Sequence, residues 1–290
     1  MVTARTLRLA GAGGVTLVAD EWGPSGGVPV VLLHGGAQTR KAWGGTAQAL
    51  AAARFHVYSV DLRGHGDSGW ARDGDYSLDA VAADIRAVAS LLDRPVLVGA
   101  SLGGIGALLA EAESDRGLTR ALVLVDVTPR IEVEGANRIL RFLTAHPEGF
   151  GSVEEAARAV AEYLPHRERP DDITGLANNL RRNESGRYCW HWDPRILETN
   201  PTASDAFRRR LDDAAKRLSL PVLVIRGGLS DVVSPQGIRE FLRIVPGAEH
   251  QEVPRAGHMV AGDRNDIFTE AVVGFLVRHL GRSDRAGGVA

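Results

Sequence analysis

Pro95-Val96-Leu97-Val98-Gly99-Ala100-Ser101-Leu102-Gly103-Gly104 is the stretch from which the rest of the chain is read. Val96 to Val98 is a short apolar run that reads as a buried strand. Ile105 to Leu109 continues with helical character. Between them, Gly99-Ala-Ser-Leu-Gly103 fits Gly-x-Ser-x-Gly, the pattern of a nucleophile elbow. The flanking glycines belong to a turn so tight that side chains would collide, with a strained serine backbone at its apex. Such a turn lifts the Ser101 hydroxyl out at the sheet edge and aims the Leu102 N–H at the same space. With 34 glycines and 14 serines in 290 residues, chance alone supplies about 0.2 such patterns, so context decides.

Outward from the elbow, strands and helices alternate. Thr6 to Leu9 and Val15 to Trp22 flank Gly11-Ala-Gly-Gly14 and predict a hairpin. Val28 to Leu33 is an apolar run suited to a strand buried on both faces, and it ends at His34-Gly35-Gly36. A helix is predicted near Trp43 to Ala53. His56 to Asp61 is the next strand, leading into Asp61-Leu-Arg-Gly-His-Gly-Asp-Ser68. Leu78, Val81, Ile85, Val88 and Leu92 recur at helical spacing behind Ser77, a candidate N-cap. Thr119 to Val125 is a further buried strand, ending at Asp126. After position 218 come strands at Leu220–Arg226 and His250–Val253, a helix at Gln236–Val245, and a last helix carrying Phe268, Val272, Phe275 and Leu276. This alternation predicts an α/β doubly wound, mostly parallel sheet, whose ligands sit beyond the carboxyl ends of its strands. His34, Asp61, Ser101 and Asp126 all stand at such ends.

Residues 128–218 differ in character. Long β-branched runs stop, and helix-like segments appear near Ala136–Thr144, Val153–Tyr163 and Ile173–Arg181, punctuated by prolines. The expectation is a helical cap inserted into a core formed by 1–127 and 219–290. Its arginine pair, Arg181-Arg182, and triplet, Arg208-Arg209-Arg210, read as solvated surface.

Composition narrows the function classes. A hydrophobic share of 44%, a charged share of 24% and a net charge of −2 describe an ordinary globular chain. They argue against a nucleic-acid partner or strong membrane attraction. No apolar run approaches the roughly 20 residues of a membrane span, and the N-terminus lacks a signal-peptide core. Cys189, the only cysteine, has no internal disulfide partner. The expectation is a soluble, cytoplasmic monomer or homodimer acting on a small molecule.

Serine is a weak nucleophile at neutral pH; it needs a base, and the base needs a carboxylate. His258, in the loop after the last strand, is the candidate base. Two aspartates compete to orient it. Asp231 is preferred for its glycine-permitted loop and the neighbouring strand of His258; Asp126 is the alternative. Gly36 and Leu102 are the candidate oxyanion donors. His34 and His65, bracketed by glycine loops, read as structural. Gly64-His-Gly-Asp-Ser-Gly69 fits a dinucleotide fingerprint, but no helix opens from it. No grouping has persuasive metal-ligand spacing, and no cofactor is expected. Trp43, Tyr163, Tyr188, Trp190, Trp192 and Met259 are candidate walls of a substrate pocket.

Taken together, His34-Gly35-Gly36, Asp61-x-Arg-Gly-His-Gly-x-Ser68, Gly99-x-Ser-x-Gly103, Ser230-Asp231 and Gly257-His258 resemble the α/β-hydrolase superfamily, in its capped branch. The resemblance implies an eight-stranded, mostly parallel sheet. It also implies a Ser101–His258–Asp231 triad with Gly36 and Leu102 as oxyanion hole. Epoxide hydrolases and haloalkane dehalogenases of this branch carry Asp at the elbow, and Ser101 argues against both. Some lactonases place the acid before the cap, which keeps Asp126 open. The expected activity is hydrolysis of a partly apolar carboxylic ester or lactone through an acyl-enzyme. Carbon–carbon bond hydrolysis of a diketone-type substrate is the second reading. A non-catalytic receptor retaining the hydrolase shell is the third.

Overall fold

Val30 to Leu33, Val96 to Val98, Ala121 to Val125 and Val222 to Ile225 are nearly all fully buried, as strands covered on both faces require. In the computed structural model, residues 4–165, 174–177, 179–199, 204–260 and 265–281 are described. Eight strands form one sheet: β1 (Arg5–Ala10), β2 (Thr16–Trp22), β3 (Pro29–Leu33), β4 (His56–Val60), β5 (Val96–Ala100), β6 (Ala121–Val125), β9 (Val222–Gly227) and β10 (Glu249–Val253). Their order is β1-β2-β4-β3-β5-β6-β9-β10. The first hairpin is antiparallel, as is the β2–β4 pair, and every pairing from β4 to β10 is parallel. This is the α/β-hydrolase fold expected from the motifs.

The strand order reverses between β3 and β5, where the chain leaves for β4 on one side and β5 on the other. A crevice opens at such a switch point. The Gly35-Gly36 loop and Ser101 follow β3 and β5 at the same carboxyl edge of the sheet, with Gly35 beside Ser101.

Helices cover both faces. On one, α2 (Leu78–Ala89) packs against α3 (Leu102–Ala112), and Ser77 caps α2 by accepting the Ala80 N–H at 3.2 Å. On the other, α1 (Gly44–Ala52) packs against α9 (Asn265–Leu280) around Trp43, Leu50, Phe268, Val272 and Phe275. α8 (Pro235–Ile244) starts at Ser234, whose hydroxyl accepts the Gly237 N–H at 3.1 Å.

Between β6 and β9 the chain forms α4 (Val133–Thr144), α5 (Val153–Tyr163), a single turn α6 (Thr174–Ala177), and α7 (Asp205–Lys216). It also forms a hairpin of β7 (Leu180–Arg182) and β8 (Tyr188–Trp190). The segment is therefore not wholly helical. The helix expected over Ile173–Arg181 gives way to strand pairing at Leu180, and Ile173 itself lies outside the described residues. α7 packs beside α3 and buries Phe207, Leu211, Ala214 and Ala215 in the same core cluster as the sheet. Among the described residues, no helix is long and apolar enough to cross a membrane.

Candidate active site

Ser101 sits at the junction of β5 and α3 with φ 45° and ψ −114°, outside the regions ordinary residues occupy. Such a corner costs of the order of 1–3 kcal/mol and persists only where its surroundings enforce it. Here they do. The Ser101 N–H donates to the Val125 carbonyl at 3.1 Å, and its own carbonyl accepts the Ile105 N–H at 2.9 Å. A Cβ on Gly99 would lie 2.5 Å from the Gly103 carbonyl oxygen, so only glycine lets the helix fold back on the strand this closely.

His258 donates from Nδ1 to Asp126 Oδ2 at 2.7 Å. Asp126 is fully buried at the end of β6, with φ 50°, a second strained corner beside the first. Its other oxygen accepts the Gly227 N–H at 2.9 Å, and the Ser230 hydroxyl donates to Oδ2. Ser230 is itself held by N–H groups of Val232 and Val233 at 3.2 and 3.1 Å. Beneath it, the buried Arg226 donates from Nε to the Val233 carbonyl at 2.7 Å and bonds Glu252 at 2.8 Å. A Cβ on Gly227 would stand 2.2 Å from the Gly257 carbonyl oxygen; glycine there lets the His258 loop close over β9.

The geometry reverses the preference between the two aspartates. Asp231 turns outward, about two-fifths exposed, and pairs with Arg138 of α4 at 2.9 Å. Its backbone carbonyl packs against Gly135 of the same helix. The turn after β9 sends alternate side chains to opposite sides, so Ser230 points in and Asp231 out. Ser230 is the participant that spacing did not single out by role. Its only sequence signal was a hydroxyl one residue before the favoured aspartate.

Facing Ser101, the loop after β3 is held by two buried histidines. His34 accepts the Leu62 N–H at Nε2, 2.9 Å away, and so donates from Nδ1 to the Gly35 carbonyl at 2.8 Å. His65 accepts the Ala37 N–H at Nε2, 3.2 Å away, and donates from Nδ1 to the Arg63 carbonyl at 2.9 Å. Burial pulls both imidazoles down, His65 to about 4, so both are neutral at pH 7. The Gly35 N–H is bonded by the Gln38 side chain at 3.0 Å, and the Gln38 N–H by the Gly35 carbonyl at 3.2 Å. Among the described residues, no hydrogen bond is made to the N–H of Gly36 or of Leu102. Leu102 opens α3, where the helix leaves its first N–H groups without intrahelical partners.

The motif from Asp61 to Ser68 is scaffolding for this loop. Asp61, fully buried, accepts the Arg40 N–H at 2.6 Å and the Asp67 N–H at 2.9 Å, and pairs with the Arg40 guanidinium. Arg63 forks onto Asp84 at 2.6 and 2.8 Å. Ser68 bridges the Asp61 carbonyl and the Val18 N–H.

The aromatic candidates scatter. Trp43, expected at the pocket wall, is 1% exposed and packs on Phe268 within the core; it is a core residue. Tyr188 lies under the Arg182 guanidinium and accepts a bond from it at 2.8 Å. Trp190 packs against Phe142 and Phe150. Tyr163 stacks on Phe142 and lines an open groove of about 450 Å³ between α4 and α5, with Arg138, Arg141 and His146. Trp192 is buried, and Met259, next to His258, is half-buried. Among the described residues, no group of three or more His, Cys, Asp or Glu side chains could hold a metal ion.

A strained serine at an elbow, a buried aspartate bonded to a part-buried histidine and this sheet order define the class. Residues 30–271 match the model of the alpha/beta hydrolase family, and the chain belongs to that family. It is 32% identical to the esterase Rv0045c of Mycobacterium tuberculosis over 89% of this chain and 85% of that one. It is 30% identical to 2-(acetamidomethylene)succinate hydrolase of Mesorhizobium japonicum, over 91% and 92% of the two chains. A solved alpha/beta hydrolase from Novosphingobium aromaticivorans superposes with a TM-score of 0.80 at 28% identity, covering 97% of this chain and all of that one.

Proposed function

We propose that the chain is a serine acyl hydrolase, with Ser101 as nucleophile, His258 as base and Asp126 as the orienting carboxylate. The observation that carries this is the 2.7 Å bond from His258 to a carboxylate at the end of β6, the strand paired with the one that ends in the Ser101 elbow. Ser101 Oγ attacks the acyl carbonyl while His258 Nε2 takes its proton. Asp126 holds the imidazole by Nδ1 and stabilises the cation that forms. The negative oxygen of the tetrahedral intermediate meets the N–H groups of Gly36 and Leu102. His258 then gives its proton to the leaving group, and water releases the acyl group by the same steps. The β6–β9 segment acts as a cap that selects substrate, with Trp192 and Met259 the candidates for the wall. No step calls on a cofactor.

The substrate class is a small-to-medium carboxylic ester or lactone, a reading supported by the esterase relative. An acylated nitrogen is the second reading, because a relative of similar identity and fuller coverage is named for hydrolysing an acetamido compound. The test is labelling by a fluorophosphonate probe, with turnover of p-nitrophenyl acetate and butyrate. The expected adduct is on Ser101 and absent from Ser101→Ala, which also loses turnover. Retained turnover in that variant overturns the mechanism. A wild-type chain that neither labels nor turns over favours the receptor reading.

A further inference from the structure

His191 lies in the β6–β9 segment, just past β8, and its side chain reaches out of that segment into the core. Its Nδ1 accepts the Gly66 N–H at 2.7 Å. Its ring centroid stands 5.9 Å from that of His65, which in turn lies 5.0 Å from His34. Three buried imidazoles thus run from this segment to the loop after β3. The residues that follow fix the same contact. Asp193 donates its N–H to the Gly64 carbonyl at 2.9 Å and accepts the Tyr76 hydroxyl at 2.5 Å, and Arg195 reaches the Ala71 carbonyl at 2.9 Å.

The middle imidazole does the transmitting. His65 is the acceptor for the Ala37 N–H, and Ala37 holds φ 63°, a left-handed conformation that a residue with a Cβ adopts only under constraint. Ala37 directly follows Gly36. A His65 ring that tilts releases the Ala37 N–H, and Gly36, the residue before it, then loses the anchor that fixes this loop beside Ser101, whose Cβ lies 3.4 Å from the position of a Cβ on Gly35. His65 is in ring contact with both His34 and His191. Because His191 accepts at Nδ1, its neutral ring carries the proton on Nε2, and burial keeps it neutral, pulled down to about 3.

We propose that His191 is a positioning residue for the oxyanion loop: by accepting the Gly66 N–H and bracing His65, it makes the Gly36 donor depend on the docked β6–β9 segment. This rests on the acyl-hydrolase reading above for the role of Gly36, and on geometry alone for the holding of the loop. Oxyanion stabilisation is then completed by a part of the chain remote in sequence from the strands that carry Ser101 and Asp126.

The test compares His191→Asn with His191→Leu. The two side chains share branching at Cγ and the same number of heavy atoms, but Asn keeps an acceptor where Nδ1 was and Leu has none. The readouts are kcat and KM for a p-nitrophenyl ester, and hydrogen exchange of the Ala37 amide. In His191→Leu, kcat is expected to fall about 10- to 100-fold with KM within about twofold, as for a displaced catalytic donor. Ala37 exchange should accelerate at least tenfold. His191→Asn should stay within about threefold of wild type in both. Equal impairment of the two variants, unchanged kcat in both, or a raised KM with kcat intact overturns the proposal. If the wild-type chain neither labels nor turns over, the acyl-hydrolase reading fails. The Ala37 exchange rates then still decide whether His191 holds the loop.

Discussion

His258 and Asp126 are joined at 2.7 Å across 132 residues of sequence, and Asp126 has no exposed carboxylate surface. Asp231 satisfies itself elsewhere, on a half-exposed arginine. Asp126→Asn is therefore expected to lower kcat about 10³- to 10⁴-fold, since the amide favours the wrong imidazole tautomer. Asp231→Asn should stay within about threefold, because an exposed ion pair contributes only about 0–1 kcal/mol. Steady-state ester kinetics on the two variants decide between the carboxylates.

Ser230 gives Asp126 its only hydroxyl donor among the described residues. Ser230→Ala leaves that buried oxygen with one partner fewer and frees the Val232 and Val233 N–H groups. A stability loss of about 1–3 kcal/mol is expected from denaturant titration. Turnover should fall by about tenfold, well short of the Asp126→Asn loss, because the His258 bond survives.

Two glycines near Ser101 should respond in opposite ways. A Cβ at Gly99 meets the Gly103 backbone at 2.5 Å, whereas a Cβ at Gly36 meets nothing within 4 Å. Gly99→Ala is expected to cost about 3 kcal/mol or more, in the range of severe overpacking. Gly36→Ala should leave the thermal midpoint within about 2 °C. A large loss of turnover in Gly36→Ala would then reflect crowding of the oxyanion space alone.

Acid should weaken the fold earlier than carboxylate protonation would. His34, His65 and His191 all have folded-state values depressed by burial, His65 to about 4 and His191 to about 3. The unfolded chain binds their protons near pH 6.5, where the folded chain does not. Stability is therefore full above pH 6.5 and declines as pH falls toward 4, with a slope of up to three protons. Denaturant midpoints at pH 7, 6, 5 and 4 measure it. His191→Asn should flatten the slope by one proton.

Much of the scaffold could be read from residues because its cause is local. Val28 to Leu33 and Ala121 to Val125 are continuous apolar runs, and only a strand buried on both faces explains that pattern at that length. The elbow was legible because two glycines at fixed spacing answer a steric demand. Which carboxylate bonds His258 was not. Asp126 and Asp231 both follow buried strands, and what separates them is side-chain direction. That direction is set by the φ of 50° at Asp126 and by the turn that points Ser230 inward. Trp43 shows the same limit. It is near the Gly35-Gly36 loop in sequence, yet the start of α1 aims it at Phe268 on α9. β7 and β8 are only three residues long, and β7 is Leu-Arg-Arg, so although Tyr188 and Trp190 favour a strand the pairing rests on tertiary context too short-ranged for a sequence period to report.

The two positive-φ corners, Ser101 and Asp126, sit side by side at the ends of paired strands. Their strain exists whether or not a substrate is bound, so it weighs on folding at every moment of the protein's life. An inactive chain with glycine at 101 sheds one of these burdens and should melt higher than the active one. Selection for durability alone would remove that serine; under the acyl-hydrolase proposal, its presence is robustness exchanged for reactivity.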